Sequence, residues 1–253
     1  MIITLTEVSK GRHESALPRI SAEFLSGRAS LAVAETEQRP SVLGLIASGR
    51  MRPDSGEVRI DDIVDLGQLR ARVALVDAPE VNDPSSDVTV FAVVAEELMF
   101  AGRPSGPIAT KKALVDLGVE EWRNWTIGTV PAIVRIRLLT ELAIMRDDVE
   151  GLVITAPDRH GGDPADWWAR ATELARRGYA VLVIAGVSSA AALGIAAEAG
   201  TIFHGERTER LELDGDEPEA IADEAPGIEA LTAGEAAGET SAEPHRDEPE
   251  ARA

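Results

Sequence analysis

The chain has 253 residues, 44% of them hydrophobic and 27% charged, enough to bury a globular core in one large domain or two lobes. Its net charge of −19 excludes a broad nucleic-acid-binding surface, because phosphate recognition rests on clustered Lys and Arg. Cysteine is absent, which excludes disulfides, thiolate metal sites and cysteine nucleophiles together.

The chain opens on MIITLTEVSK, which alternates apolar and polar and reads as a strand over Ile2 to Val8 rather than as a signal peptide. No apolar run approaches the ~20 residues that span a bilayer. Further strands are predicted at Ile20 to Phe24 and Ser30 to Ala34, then a short helix over Ser41 to Gly49 that ends in glycine. Pro53-Asp54-Ser55-Gly56 is turn chemistry opening a strand at Glu57 to Ile60, and RVALV, Arg72 to Val76, is the next strand. From Val88 to about Met145 the period is helical, in three pieces: VTVFAVVAEELMFAG, TKKALVDLG and PAIVRIRLLTELAIM. Strands return at Gly151 to Thr155 and Tyr179 to Gly186, separated by the amphipathic helix DWWARATELARRG. Two buried strands joined by such a helix imply a parallel βαβ unit. TIFHG and ERLEL are predicted to close the body as a hairpin.

Composition divides the chain at its far end. Residues Asp214 to Ala253 carry thirteen Asp or Glu against two Arg, a net of −11, which leaves −8 on residues 1–213. The stretch has no aromatic residue and is rich in Pro, Gly, Ala and Glu, so it is expected to be a disordered acidic tail; docking to a basic partner is the functional alternative.

The order of segments resembles the nucleotide-binding domain of ATP-binding cassette (ABC) transporters over nearly all of residues 1–213. RPDSGEVRIDD resembles the stretch after the first helix of that family, and VTVFAVVAEEL the opening of its helical subdomain. RIRLLTELAIMRDDVEGLVITAP resembles the run from the signature helix into the Walker B strand, and GGDP, a helix and AVLVIAG resemble the D-loop and the strand to the switch histidine. The resemblance implies a P-loop NTPase-like α/β fold. Its parts are a β-rich flank, a RecA-like core and a helical subdomain at about residues 79–146.

The chemistry of that family is not repeated. A phosphate loop needs G-x-x-x-x-G-K-[ST], so that backbone N–H groups and a lysine hold the phosphates while a hydroxyl holds Mg²⁺. The corresponding stretch is AETEQRPS, with Ala34 and Arg39 at the glycine positions, Pro40 at the lysine position, and Glu35 and Glu37 adding negative charge. Only Ser41 keeps its type, and a helix cap is its simpler role. The Walker B carboxylates fall at Thr155 and Ala156, the Q-loop glutamine at Ala78, the switch histidine at Gly186 and the LSGGQ signature at Val130 to Val134. SKGRH lacks the aromatic residue that stacks on adenine. Asp163 in GGDP matches the D-loop, although Asp-Pro before a helix is also an N-cap arrangement. The three lysines, Lys10, Lys111 and Lys112, are followed by Gly, Lys and Ala, so no GK[ST] tripeptide exists.

Other candidates are sparse. Asp77 and Asp158 lie beyond predicted strand ends, where α/β sheets place ligands, and are expected to be surface loop acids. His13, His160, His204 and His245 lack ligand spacing, so no metal site is expected. Trp167 and Trp168 project about 100° apart at a helix start, one toward the core and one partly buried. Trp122 and Trp125 are three apart on a short helix, in the lobe that meets the membrane subunit of the resembled family, and are the candidate partner contacts.

Three readings follow. In the first, the chain is a catalytically inactive ABC-type domain, with no cofactor and no catalytic residue, acting as a cytoplasmic interaction or regulatory subunit at the inner face of a membrane. The resemblance implies a membrane-embedded transporter-like partner and a homo- or heterodimer. In the second, it is a functional ABC ATP-binding subunit with divergent motifs, using ATP and Mg²⁺. In the third, it is an unrelated α/β small-molecule binding module, which the lack of a helical lobe between residues 79 and 146 would favour.

Overall fold

The computed structural model describes residues 1–34, 38–196, 200 and 202–204, with only the backbone at Gln38 and Arg39. The predicted acidic stretch from Asp214 onward, and the ERLEL half of the closing hairpin, lie outside the described residues.

Two sheets organise the described chain. Strands β1 (Ile2–Lys10), β2 (Leu17–Leu25) and β4 (Ser55–Ile60) form an antiparallel sheet in the order β2-β1-β4. Strands β3 (Ala29–Val33), β5 (Val73–Val76), β6 (Gly151–Thr155), β7 (Ala180–Ala185) and β8 (Ile202–His204) form the second, in the order β5-β6-β7-β3-β8. Strands β5, β6, β7 and β3 are parallel, in registers such as Val76↔Ile154, Ile154↔Val183 and Val33↔Ala185. Helix α6 (Pro164–Arg176) joins β6 to β7, which is the βαβ unit the sequence predicts. The IFH part of the predicted hairpin is β8, which pairs antiparallel with β3, where Ser30 Oγ and His204 Nδ1 are 2.7 Å apart in the interior.

All four parallel strands are buried on both faces, so their residues read as continuous apolar runs and sort by alternation. Ala74, Val76, Leu152, Ile154, Val181 and Val183 face one core with Leu138 and Leu142 of α5 (Ala132–Ala143) and Leu174 of α6. Leu75, Val153, Leu182 and Ile184 face the other, against Leu43 and Ile46 of α1 (Gln38–Ala47) and the flanking sheet. Helix α1 passes so close to the central sheet that a Cβ on Gly44 would stand 2.8 Å from Thr155 Oγ1 and 3.1 Å from Leu75 Cδ1.

The helical lobe is present: α3 (Val90–Phe100), α4 (Pro107–Asp116) and α5 occupy the predicted region, with Thr89 capping α3. Two short helices escaped the periodicity. α2 (Leu66–Arg72) is nucleated by Asp65, whose carboxylate accepts from Gly67 and Gln68 N–H, and α7 (Val187–Ala192) spans only six residues, too few to show a 3.6-residue period. No helix among the described residues is long and apolar enough to cross a membrane.

Candidate functional site

Because β3, β5, β6 and β7 run parallel, their C-terminal ends share one edge of the sheet, where open α/β folds bind ligands. The residues that leave this edge are Ala34, Asp77, Ala156 and Gly186. Asp77 and Ala156 both take left-handed backbone (φ 56° and 48°), so β5 and β6 end in sharp reversals that residues with a Cβ adopt only when surrounding contacts hold them.

Those contacts centre on Asp77. Its carboxylate is 1% exposed and receives a two-pronged contact from Arg135 of α5, Nη2 to Oδ1 at 2.7 Å and Nε to Oδ2 at 3.0 Å. Arg159 Nη2 reaches Oδ1 at 2.9 Å, and His160 Nε2 stands 3.0 Å from Oδ2; both lie in the short turn Pro157–His160 after β6. Arg159 also donates to the main-chain oxygens of Asp77 and Thr155 and reaches Asp83 at 3.4 Å. Burial pushes the Asp77 carboxyl upward, but the hydrogen bonds from His160 and Arg135 and the charges of Arg135 and Arg159 outweigh it, holding the group well below the usual carboxylate range. Asp77 is therefore not the surface loop acid that its sequence position suggested. Parallel pairing ends at Val76, and the left-handed turn directs the next side chain inward.

The neighbouring groups also engage one another. Asp158 accepts from Gly186 N–H and Ser189 Oγ, both at 2.9 Å, and so tethers the start of α7 to the turn after β6; it too is half-buried structure rather than a free surface acid. Ser41 sits within the first turns of α1, which begins at Gln38, and is not its cap: its Oγ donates to Pro79 O at 3.2 Å. Asn82 accepts from Ala78 N–H and donates to Leu75 O, closing the loop after β5. Thr155 is fully buried, and its Oγ1 has no hydrogen-bond partner. Glu35 and Glu37 lie outside the described residues, as does the side chain of Arg39.

Asp163 caps α6, its carboxylate accepting from Ala165 N–H at 2.9 Å. It borders a cavity of about 10 Å³, room for one water, between α5, α6 and the turn after β6; Asp77, Arg135, His160 and Trp167 also line it. Trp167 is 4% exposed and Trp168 half-buried, as their spacing predicts. Trp122 and Trp125 are brought together, ring centroids 4.8 Å apart and edge-on, but not on a regular helix: Glu120–Trp122 is a single 3-10 turn and Trp125 lies in the turn beyond it. Trp122 packs against the core while Trp125 is 49% exposed.

The sequence carried one overlooked signal for this hub. Arg135 stands three and four residues before Leu138 and Leu139, on the apolar stripe of α5, and a charge on such a stripe requires a partner. What it could not supply was the partner, 58 residues away.

A five-stranded, mainly parallel sheet with an antiparallel flank and a helical insertion before the second βαβ unit defines a P-loop NTPase-type α/β architecture. Solved structures with the same fold are ATP-binding cassettes of ABC transporters. A nucleotide-free cassette is 17% identical, with TM-score 0.54, covering 75% of this chain and 83% of that one. A cassette in its ADP conformation is 16% identical, with TM-score 0.53, covering 73% and 81%. The structure of cbiO1 from Clostridium perfringens, part of the ABC transporter complex cbiONQ, is 17% identical, with TM-score 0.52, covering 73% and 77%. The fold is that of the ABC ATPases. No protein-family profile matches the sequence. No curated protein matches it either.

Proposed function

We propose that this chain is a catalytically silent ABC-type domain that serves as an interaction or regulatory subunit at the inner face of a membrane, beside a transporter-like membrane protein. The observation that carries the reading is the self-satisfied edge of the sheet. Nucleotide hydrolysis on this fold needs a metal-binding carboxylate and a second group acting on water at the end of the β6 strand. Thr155 and Ala156 stand there instead. Among the described residues, Asp77 and Asp158 beside that edge are committed to Arg135, Arg159, His160, Gly186 and Ser189, and the Ser41 hydroxyl to a carbonyl. This donor set does not fit a magnesium triphosphate. In this reading the Asp77 hub serves architecture, fixing α5 and the turn after β6 to the end of β5. The helical lobe whose absence would favour an unrelated binding module is present, which disfavours that reading.

Thermal unfolding with and without millimolar Mg-ATP tests the silent reading. A ligand at 100 times its Kd adds about 2.7 kcal/mol of stability. The expected result is an unchanged melting temperature and no ATP turnover; a reproducible rise of several degrees establishes instead a functional ATP-binding subunit with divergent motifs. Trp122 and Trp125 are the proposed partner contacts, since Trp125 exposes half of an aromatic surface held edge-on by its neighbour. Co-purification with a neighbouring membrane protein is expected to fall for Trp125→Ala, and equal recovery would remove the pair from the interface.

A further inference from the structure

Helix α4 packs with one side and leaves the other unpartnered. Thr110 and Leu114 are buried, and Ala113 and the capping Leu117 pack against the core, so the inward side is read at i, i+3, i+4 and i+7. Ile108, Lys111, Lys112 and Val115 repeat that spacing on the opposite arc, and all four are exposed. Ile108 is 89% exposed and Val115 more than half. Two apolar residues thus bracket two adjacent lysines, in a chain that has three. The turn into α4 extends the apolar end: Met99 and Phe100, the last residues of α3, are each more than half exposed, and only residues 101–106 separate them from α4.

A solvated helix face does not account for this pattern. Single exposed apolar residues are ordinary. A face meant for water, however, is filled with charged and straight-chain polar residues, which also favour helix over Ile and Val. Acids are abundant in this chain, 44 in all, yet residues 98–119 hold one, Asp116, against Arg103, Lys111 and Lys112. The stretch is a basic island in a chain of charge −19. Lys112 meets Asp116 at 2.7 Å and Lys111 meets Glu120 at 4.0 Å, but all four side chains are open to water, and such pairs hold a lysine weakly.

Apolar residues that flank cations on one helix face suit a bilayer interface, with the apolar side chains among the acyl chains and the ammonium groups at the phosphates. We propose that the outer face of α4, Ile108, Lys111, Lys112 and Val115, with Met99 and Phe100 at the turn before it, docks on the headgroup layer of an anionic lipid membrane. The proposal rests on the reading that the chain works at the inner face of a membrane, and not on its catalytic silence. Charge selects the occupant, because lysines beside a membrane are drawn to anionic headgroups. Ten residues make a helix of about 15 Å, too short to span a bilayer, so the contact stays at the surface.

Flotation of the full chain with mixed phosphatidylserine and phosphatidylcholine vesicles, against pure phosphatidylcholine, tests this surface. The wild type is expected to float with the anionic vesicles and to lose about tenfold or more of that partition on pure phosphatidylcholine or at raised salt. Lys111→Gln with Lys112→Gln should lose a similar factor on anionic vesicles, whereas Ile108→Ser should weaken partition on both. Ile63→Ser, which removes an apolar residue exposed elsewhere, should leave it unchanged. The four positions are exposed, so the variants are expected to keep the fold, which far-UV circular dichroism checks. No partition of the wild type, equal partition on the two vesicles, or equal weakening by Ile63→Ser overturns the proposal. Recovery of a membrane protein that depends on Ile108 while vesicles stay unbound also overturns it and assigns the face to that protein. Vesicle binding without co-purification removes the protein partner instead and upholds the lipid contact.

Discussion

The two edges of the parallel sheet treat charge in opposite ways. At the C-terminal edge, Asp77 is wrapped by Arg135, Arg159 and His160, which engage both of its carboxylate oxygens. At the N-terminal edge, Arg50 and Arg70 instead donate to the main-chain carbonyls of Ser48, Val73 and Gly49. A buried, paired ion costs its desolvation and returns it only through its partners, so it is committed to one structure. The edge that the fold family uses for chemistry is here the committed one.

The comparison breaks first at Arg135. Arg135→Ala strands the Asp77 carboxylate in an interior where it is 1% exposed, and is expected to cost about 3–5 kcal/mol by urea unfolding. Removing the charge at both positions, Arg135→Met with Asp77→Asn, should recover much of that loss; a double variant as unstable as the sum of the singles would show that the two side chains act independently. Arg70→Gln, by contrast, should change stability little, because this exposed side chain meets a single carbonyl, Gly49 O.

The acid limb sharpens the same contrast. The Asp77 carboxyl titrates below its ordinary value of 3.8, so the stability it contributes is fully present above that pH and is lost as pH falls through the lower, folded-state value. Wild type and Asp77→Asn should therefore differ by a constant amount between pH 5 and 7, as far as this carboxyl is concerned, and the difference should shrink progressively below about pH 4. A gap as wide at pH 2 as at pH 5 would remove Asp77 as the origin. Smaller again is Gly44→Ala, where the new methyl meets Thr155 Oγ1 and Leu75 Cδ1 and should cost about 1–3 kcal/mol. Thr155→Ala alongside it should relieve most of that cost, and no relief would mean that α1 shifts as a body instead.

Much of the fold was legible before any coordinates. The strand Gly151–Thr155 has the boundaries its sequence predicts, and the other long apolar runs fall within a few residues of theirs, because period and turn chemistry are local. Helix α2 was missed because seven residues give barely two turns of signal, although Asp65 two residues before Gly67 is a readable cap. The site was less legible. Asp163 as a cap followed from its neighbours, whereas Ser41 was placed at a helix start that lies three residues earlier in the structure, and its hydroxyl found a carbonyl 38 residues away.

By itself the sequence determined the alternation of strands and helices, the absence of GK[ST], the acidic balance and the order of segments that resembles an ABC domain, since each is written in neighbouring residues. Only the tertiary structure decided that Asp77 is buried rather than exposed, and that Arg50 and Arg70 settle on carbonyls around the end of α1. Arg135 and Arg159 reach Asp77 across 58 and 82 residues of chain. Such pairings leave no periodic trace, because a polar contact depends on where two backbones come together and not on the residues beside either one.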